Sequence, residues 1–255
     1  MKFYYFTDTS EKSLAPFFSP KILSAAFYSI VIPAVVLIIF WPWQPHLAFY
    51  VRQGRGPFVF FPVMTTALVL YAYVQLRCGR GELAKSRFSA IYLQQLPTLE
   101  QEYGFMEYAL VEFLVHLLFL LLPLMPVLTL ATAISGLSFM TLIQGVSIIF
   151  TTALLYRLIG FMTYLLWGRE GLIGYLLARA LMGIFLFVTA INLPLVNPIR
   201  LLYALNKNLP DFGMSVSLAT AYWWHIGMTS GLIVLLIPIN HSLVRRHRRR
   251  NKKRG

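Results

Sequence analysis

Apolar residues in this chain run in long blocks without the alternation of a half-buried strand, and polar or proline-containing segments separate the blocks. Six blocks reach about 20 residues, the length a helix needs to cross a hydrocarbon layer roughly 30 Å thick. They fall near 23–43, 57–76, 108–131, 137–156, 172–193 and 218–243. Lipid offers the backbone no hydrogen-bond partner, so blocks of this length are expected to be helices. The pattern predicts an all-α polytopic membrane protein with six transmembrane helices. Residues 1–244 form one transmembrane domain, with an N-terminal interfacial segment at 1–22 and a basic tail at 245–255. The leading segment carries Asp8 and Glu11 and no small-residue cleavage site follows the first block, so it reads as a retained anchor.

Composition agrees with this reading. The chain of 255 residues is 58% hydrophobic and only 12% charged, too apolar for a water-soluble domain of that size. The net charge of +13 suggests nucleic acid until its distribution is considered. Eight Lys and Arg lie between Arg245 and Arg254, which leaves 14 basic residues against 9 acids elsewhere. No aromatic or glycine interrupts that run to stack on bases, and it directly follows a hydrophobic block. It is expected to stop translocation and contact anionic lipid; nucleic acid is not an expected partner.

Counting Lys and Arg on alternate sides sets the orientation. With the N-terminus inside, the inner segments carry 16 and the outer segments four, namely Arg52, Arg55, Arg200 and Lys207. Both termini are expected in the cytosol. Arg157 and Arg179 fall within or at the ends of spans and are expected to snorkel to the headgroups. Trp41, Trp43, Trp223 and Trp224 read as an outer aromatic belt.

Two inter-span segments carry more information. In the inner loop, 77–107, "SAIYLQQL" can form a short helix that Pro97 breaks, and Thr98 with Gln101 has capping-box spacing for a restart. The outer segment, 193–217, holds Asn197 as a cap and Pro198 at the first helical position, so "PIRLLYAL" predicts about eight helical residues, only about 12 Å long. A helix that short cannot cross and is expected to be re-entrant or flat on the surface.

Candidate chemistry inside the spans is sparse. Glu112 and His116 are four apart, hence on one face, where they can pair; two ligands fall short of a zinc site. Arg179 is a candidate to neutralise Glu112. Gly227 and Gly231 form G-x-x-x-G, and Gly174 with Ala178 has similar spacing; either pair can serve a dimer or pack neighbouring helices, with the local role favoured. Ser135 and His225 lie on the expected outer side, similar to the serine and histidine of rhomboid intramembrane proteases. The chain lacks G-x-x-x-x-G-K-[ST] and so cannot cradle ATP phosphates by that route.

Taken together, "LQQLPTLEQEYGFMEYALVEF" and "NPIRLLYALN" resemble the coupling-helix stretch and the outer re-entrant segment of ABC type-2 exporter permeases. The likeness extends over essentially the whole chain, which departs from the family where Glu107 and Glu112 open the third span. The resemblance implies a non-enzymatic subunit of the cytoplasmic (inner) membrane that pairs with a second permease and binds no cofactor, with ATP acting through a separate nucleotide-binding subunit. It further implies that this subunit presses on a coupling helix formed by Phe88, Ile91, Leu93, Gln94, Leu96, Pro97 and Leu99. Asn197, Pro198 and Arg200 become the re-entrant segment; Glu112, His116 and Arg179 the intramembrane polar set. A non-transporting scaffold or assembly factor and a rhomboid-like protease are the alternatives.

Overall fold

Prolines, glycines and capping side chains divide the apolar blocks into helices. A computed structural model of the protein describes residues 20–41, 59–83, 110, 113–114, 116–168, 171–193, 195–206 and 216–252. Among these residues every regular element is helical and there is no strand. In chain order the helices are α1 (Pro20–Ile39), α2 (Phe60–Gly79), α3 (His116–Ile134) and α4 (Phe139–Trp167), then α5 (Leu172–Asn192), α6 (Pro198–Leu205) and α7 (Leu218–Lys252).

Local chemistry explains the irregularities. Pro123 and Pro126 supply no amide donor, and α3 tightens into a 3-10 turn at Leu122–Leu124. Gly136 takes a left-handed φ of 67° after α3, and the Ser138 hydroxyl then accepts from the Thr141 amide to cap α4. Gly168, with φ 72°, ends α4 after 29 residues. α5 loosens into a π-helical stretch over Ile184–Val188.

α4 is the spine of the bundle. Its buried residues include Leu142, Ile148, Ala153, Tyr156 and Leu158, and it packs against α2, α5, α6 and α7. α1 lies against α2 and α3. Contacts along α4 fix the direction of its neighbours. Gly145 faces Phe60 and Met64 while Gly160 faces Leu76, so α2 runs parallel to α4. Ser147 meets Tyr222 and Leu158 meets Asn240, so α7 does the same. Phe113 stacks on Phe161 while the end of α3 reaches Phe60 through Ser135, so α3 is antiparallel. Gly174 lies beside Thr163, and Tyr156 contacts Met182 and Phe185, so α5 is antiparallel too. Successive long helices therefore alternate in direction from α2 through α5, with α7 parallel to α4.

Four helices, α3, α4, α5 and α7, are long and apolar enough to cross a membrane, the profile of a membrane protein. The apolar part of α1, Leu23–Ile39, is shorter. α2 is 20 residues long but carries Thr65, Thr66, Gln75 and Arg77, and does not join the four.

α2 and α4 touch backbone to backbone. A β-carbon on Gly160 would lie inside van der Waals contact of the Leu76 carbonyl, and one on Gly79 inside contact of the Arg157 carbonyl. Glycine is required at both positions because only its absent side chain permits this approach.

Candidate functional site

Polar side chains gather at two ends of the bundle and at one point between them. The first joint forms where α2 ends. Glu82, three residues beyond α2, accepts from Arg80 Nε at 2.9 Å and from Arg77 Nε at 3.2 Å. Arg179 on α5 reaches the same carboxylate with Nη2 at 2.9 Å and Nη1 at 3.3 Å. Glu82 is the only acidic residue among those described, so three guanidiniums share one carboxylate. Arg80 is fully buried, its Nη1 lying against Gly174, while Arg77 and Arg179 are 36% and 20% exposed. Arg179 also stacks on Tyr175, 3.4 Å from the ring centroid, and both it and Arg77 lie 5.6 Å from the Tyr73 centroid. Burial works to raise the Glu82 pKa, but hydrogen bonds and charge from Arg179 and then Arg80 outweigh it, leaving the carboxyl below its ordinary value.

One helical turn or so further in, Arg157 on α4 is buried, 6% exposed. Its Nη1 donates to Gln75 Oε1 at 3.3 Å and meets His116 Nδ1 at 3.1 Å, and its guanidinium carbon lies 4.6 Å from the Phe113 centroid. A guanidinium only donates, so His116 accepts at Nδ1 and its imidazole carries its proton on Nε2. The expectation that Arg157 snorkels is therefore overturned. The close α2–α4 crossing encloses its stem and leaves Gln75 and His116 as the polar groups within reach.

The second joint lies at the opposite end, where α2 begins. Asn197 caps α6, its Oδ1 accepting from the Arg200 amide at 2.9 Å. Its Nδ2 donates to the carbonyls of Leu186 at 2.8 Å and Phe185 at 3.2 Å, and to Thr189 Oγ1 at 2.8 Å. The π-helical stretch frees carbonyls from the i to i+4 ladder, and Asn197 satisfies them. Arg200 Nε donates to the Ala190 carbonyl at 2.9 Å. His225 Nδ1 donates to the Val196 carbonyl at 2.6 Å. Leu201, Leu202 and Leu205 are buried, and Tyr203 meets Phe61 edge-on. α6 is thus pinned to α5, to α7 and to the start of α2.

Several expectations change here. Arg179 binds the Glu82 carboxylate, because its side chain reaches back toward the start of α5, where the end of α2 packs; its expected pairing with Glu112 falls outside the described residues. Glu112, proposed to pair with His116, lies outside the described residues, as do Phe88, Ile91, Leu93, Gln94, Leu96, Pro97 and Leu99. Ser135 holds the Phe60 amide at 2.9 Å while His225 is engaged with Val196, so no contact places them as a catalytic pair. Gly174 packs locally against Arg80, Thr163 and Trp167. Gly227 and Gly231 are exposed and have nothing of the described chain within 4 Å of where a β-carbon would stand. Trp223 and Trp224 are exposed, as belt residues are, whereas Trp41 packs partly against the core.

Glu82, Gln75, Arg77 and Arg80 were the residues missed from sequence. The available signal was a lone acid within "RCGRGELAKSR", flanked by the four basic residues Arg77, Arg80, Lys85 and Arg87. Among the described residues no three His, Cys, Asp or Glu side chains come together as metal ligands would. The arrangement suits mechanical linkage: one carboxylate ties the end of α2 to α5, and one amide ties α6 to α5. No family model, curated protein or solved structure matches this chain.

Proposed function

We propose that the chain is the membrane permease subunit of an ABC type-2 exporter, crossing the cytoplasmic membrane six times and worked by a separate ATPase. The observation that carries this reading is the polarity of the bundle. A short capped helix, α6, sits between α5 and α7 at one end, and a charged joint sits at the other, where the 84–109 segment leaves α2. Excess arginine at the Glu82 end supports its assignment to the cytosol. α1 and α2 would complete six crossings; in support, α2 runs beside α4 from Gly145 to Gly160 and α1 packs against α2.

In this reading, a push on the segment that follows Glu82 passes through Arg179 to α5 and through Arg80 to the glycine contact with α4. α5 then carries it through the π-helical stretch to Asn197 and α6. The chain brings no phosphate-binding loop, so ATP acts through the partner. The open glycine face of α7 supports pairing with a second copy.

Purification of the tagged chain from its native membrane tests the proposal. Co-elution with an ATPase bearing Walker motifs is expected, with hydrolysis stimulated by the cargo. A folded chain that elutes alone contradicts transport and favours the scaffold.

A further inference from the structure

Among the described residues, the joint around Glu82 sets two partly exposed guanidiniums, Arg77 and Arg179, on a single carboxylate. Three guanidiniums face one acid, the only one among the described residues. Arg80 is fully buried, but Arg77 and Arg179 reach the surface of the bundle. Arg77 spends Nε on Glu82, and its two terminal nitrogens have no partner among the described residues. Both exposed guanidiniums are held in place by aromatic rings, Tyr73 for the pair and Tyr175 for Arg179. The charge is thus oriented and partly desolvated, as a headgroup site requires and a loose surface arginine does not provide.

The surroundings indicate which anion suits these two guanidiniums. Beyond Arg179 along α5, toward the Asn197 end, Ile184, Phe187 and Ile191 are exposed apolar side chains. On the other side Leu172, Leu176 and Trp167 are exposed as well. A free anion gains nothing from such a surface, whereas acyl chains lie along it.

We propose that Arg77 and Arg179, both set over the Tyr73 ring, bind the phosphate of an anionic phospholipid whose acyl chains run along α5. The lipid completes the charge of the joint that ties α2 to α5. The site requires that the chain lie in a membrane and is independent of transport, so loss of either reading leaves the other standing.

The full-length protein, purified in neutral detergent from membranes containing phosphatidylglycerol and phosphatidylcholine, is washed at high salt and its retained phospholipid quantified by mass spectrometry. High salt screens the exposed tail charges more than the partly buried joint. Wild type is expected to retain phosphatidylglycerol over phosphatidylcholine. Arg77→Gln is expected to lower retention roughly five-fold, the effect of one basic residue at a lipid surface, with Arg77→Lys close to wild type. Equal retention of the two lipids, or retention by Arg77→Gln equal to wild type, overturns the proposal. If Arg77→Gln does not accumulate, the comparison of the two lipids on wild type decides alone.

Discussion

The side-chain amide of Asn197 donates to the Leu186 carbonyl at 2.8 Å, so the residue that caps α6 also mends the irregular turn of α5. One amide thereby serves two helices. Asn197→Ala removes the cap and strands buried carbonyls, at a cost of about 2 to 4 kcal/mol. Asn197→Asp keeps the cap acceptor but cannot donate, and is expected to be comparably destabilised. Thermal unfolding of the detergent-solubilised protein checks both, and an Asn197→Asp variant as stable as wild type would show that the Leu186 contact is idle.

At the other end, Glu82→Gln removes the carboxylate to which the fully buried Arg80 donates. Loss of about 3 kcal/mol is expected, toward the low end for breaking a buried pair because the site is partly exposed. A double-mutant cycle between Arg179→Ala and Glu82→Ala is expected to give a coupling above about 1 kcal/mol. The same cycle between Arg179→Ala and Glu112→Gln is expected to give none.

The depressed Glu82 pKa sets a direction for pH. A carboxyl whose folded pKa lies below its unfolded value of 4.5 stabilises the fold fully above that pH, and the contribution fades as pH falls through the folded value. Midpoints of thermal unfolding should therefore drop below about pH 4.5 in wild type and drop less steeply in Glu82→Gln.

Glycine positions divide into two classes. Gly160→Ala drives a β-carbon into the Leu76 carbonyl and is expected to prevent stable α2–α4 packing. Gly227→Ala meets nothing in the described chain and is expected to leave monomer stability unchanged or raised by up to about 1 kcal/mol through helix propensity. Expression level and melting temperature separate the two outcomes.

What the sequence made legible was local. The α6 helix and its cap are written in consecutive residues, Asn197 then Pro198, and the structure has them at those positions. The apolar blocks likewise located the helices, because hydrophobic length needs no tertiary partner to be read. The joints were not legible, since Arg179 and Glu82 are 97 positions apart and meet only because α2 and α5 pack at the same end of α4. Arg157 was misplaced for a related reason: hydropathy places it near a helix end, while its burial depends on the glycine contact between α2 and α4. The π-helical stretch has no composition of its own and is stabilised by a side chain from outside α5.

In the proposed orientation the Glu82 end faces the cytosol and the Asn197 end faces out. Single cysteines at Ser86 and at Ser217, placed in a Cys78→Ala background, report these two ends to a membrane-impermeant thiol reagent. In intact cells Ser217→Cys should label and Ser86→Cys should label only after permeabilisation. Labelling of Ser86→Cys in intact cells, with Ser217→Cys protected, would contradict the account.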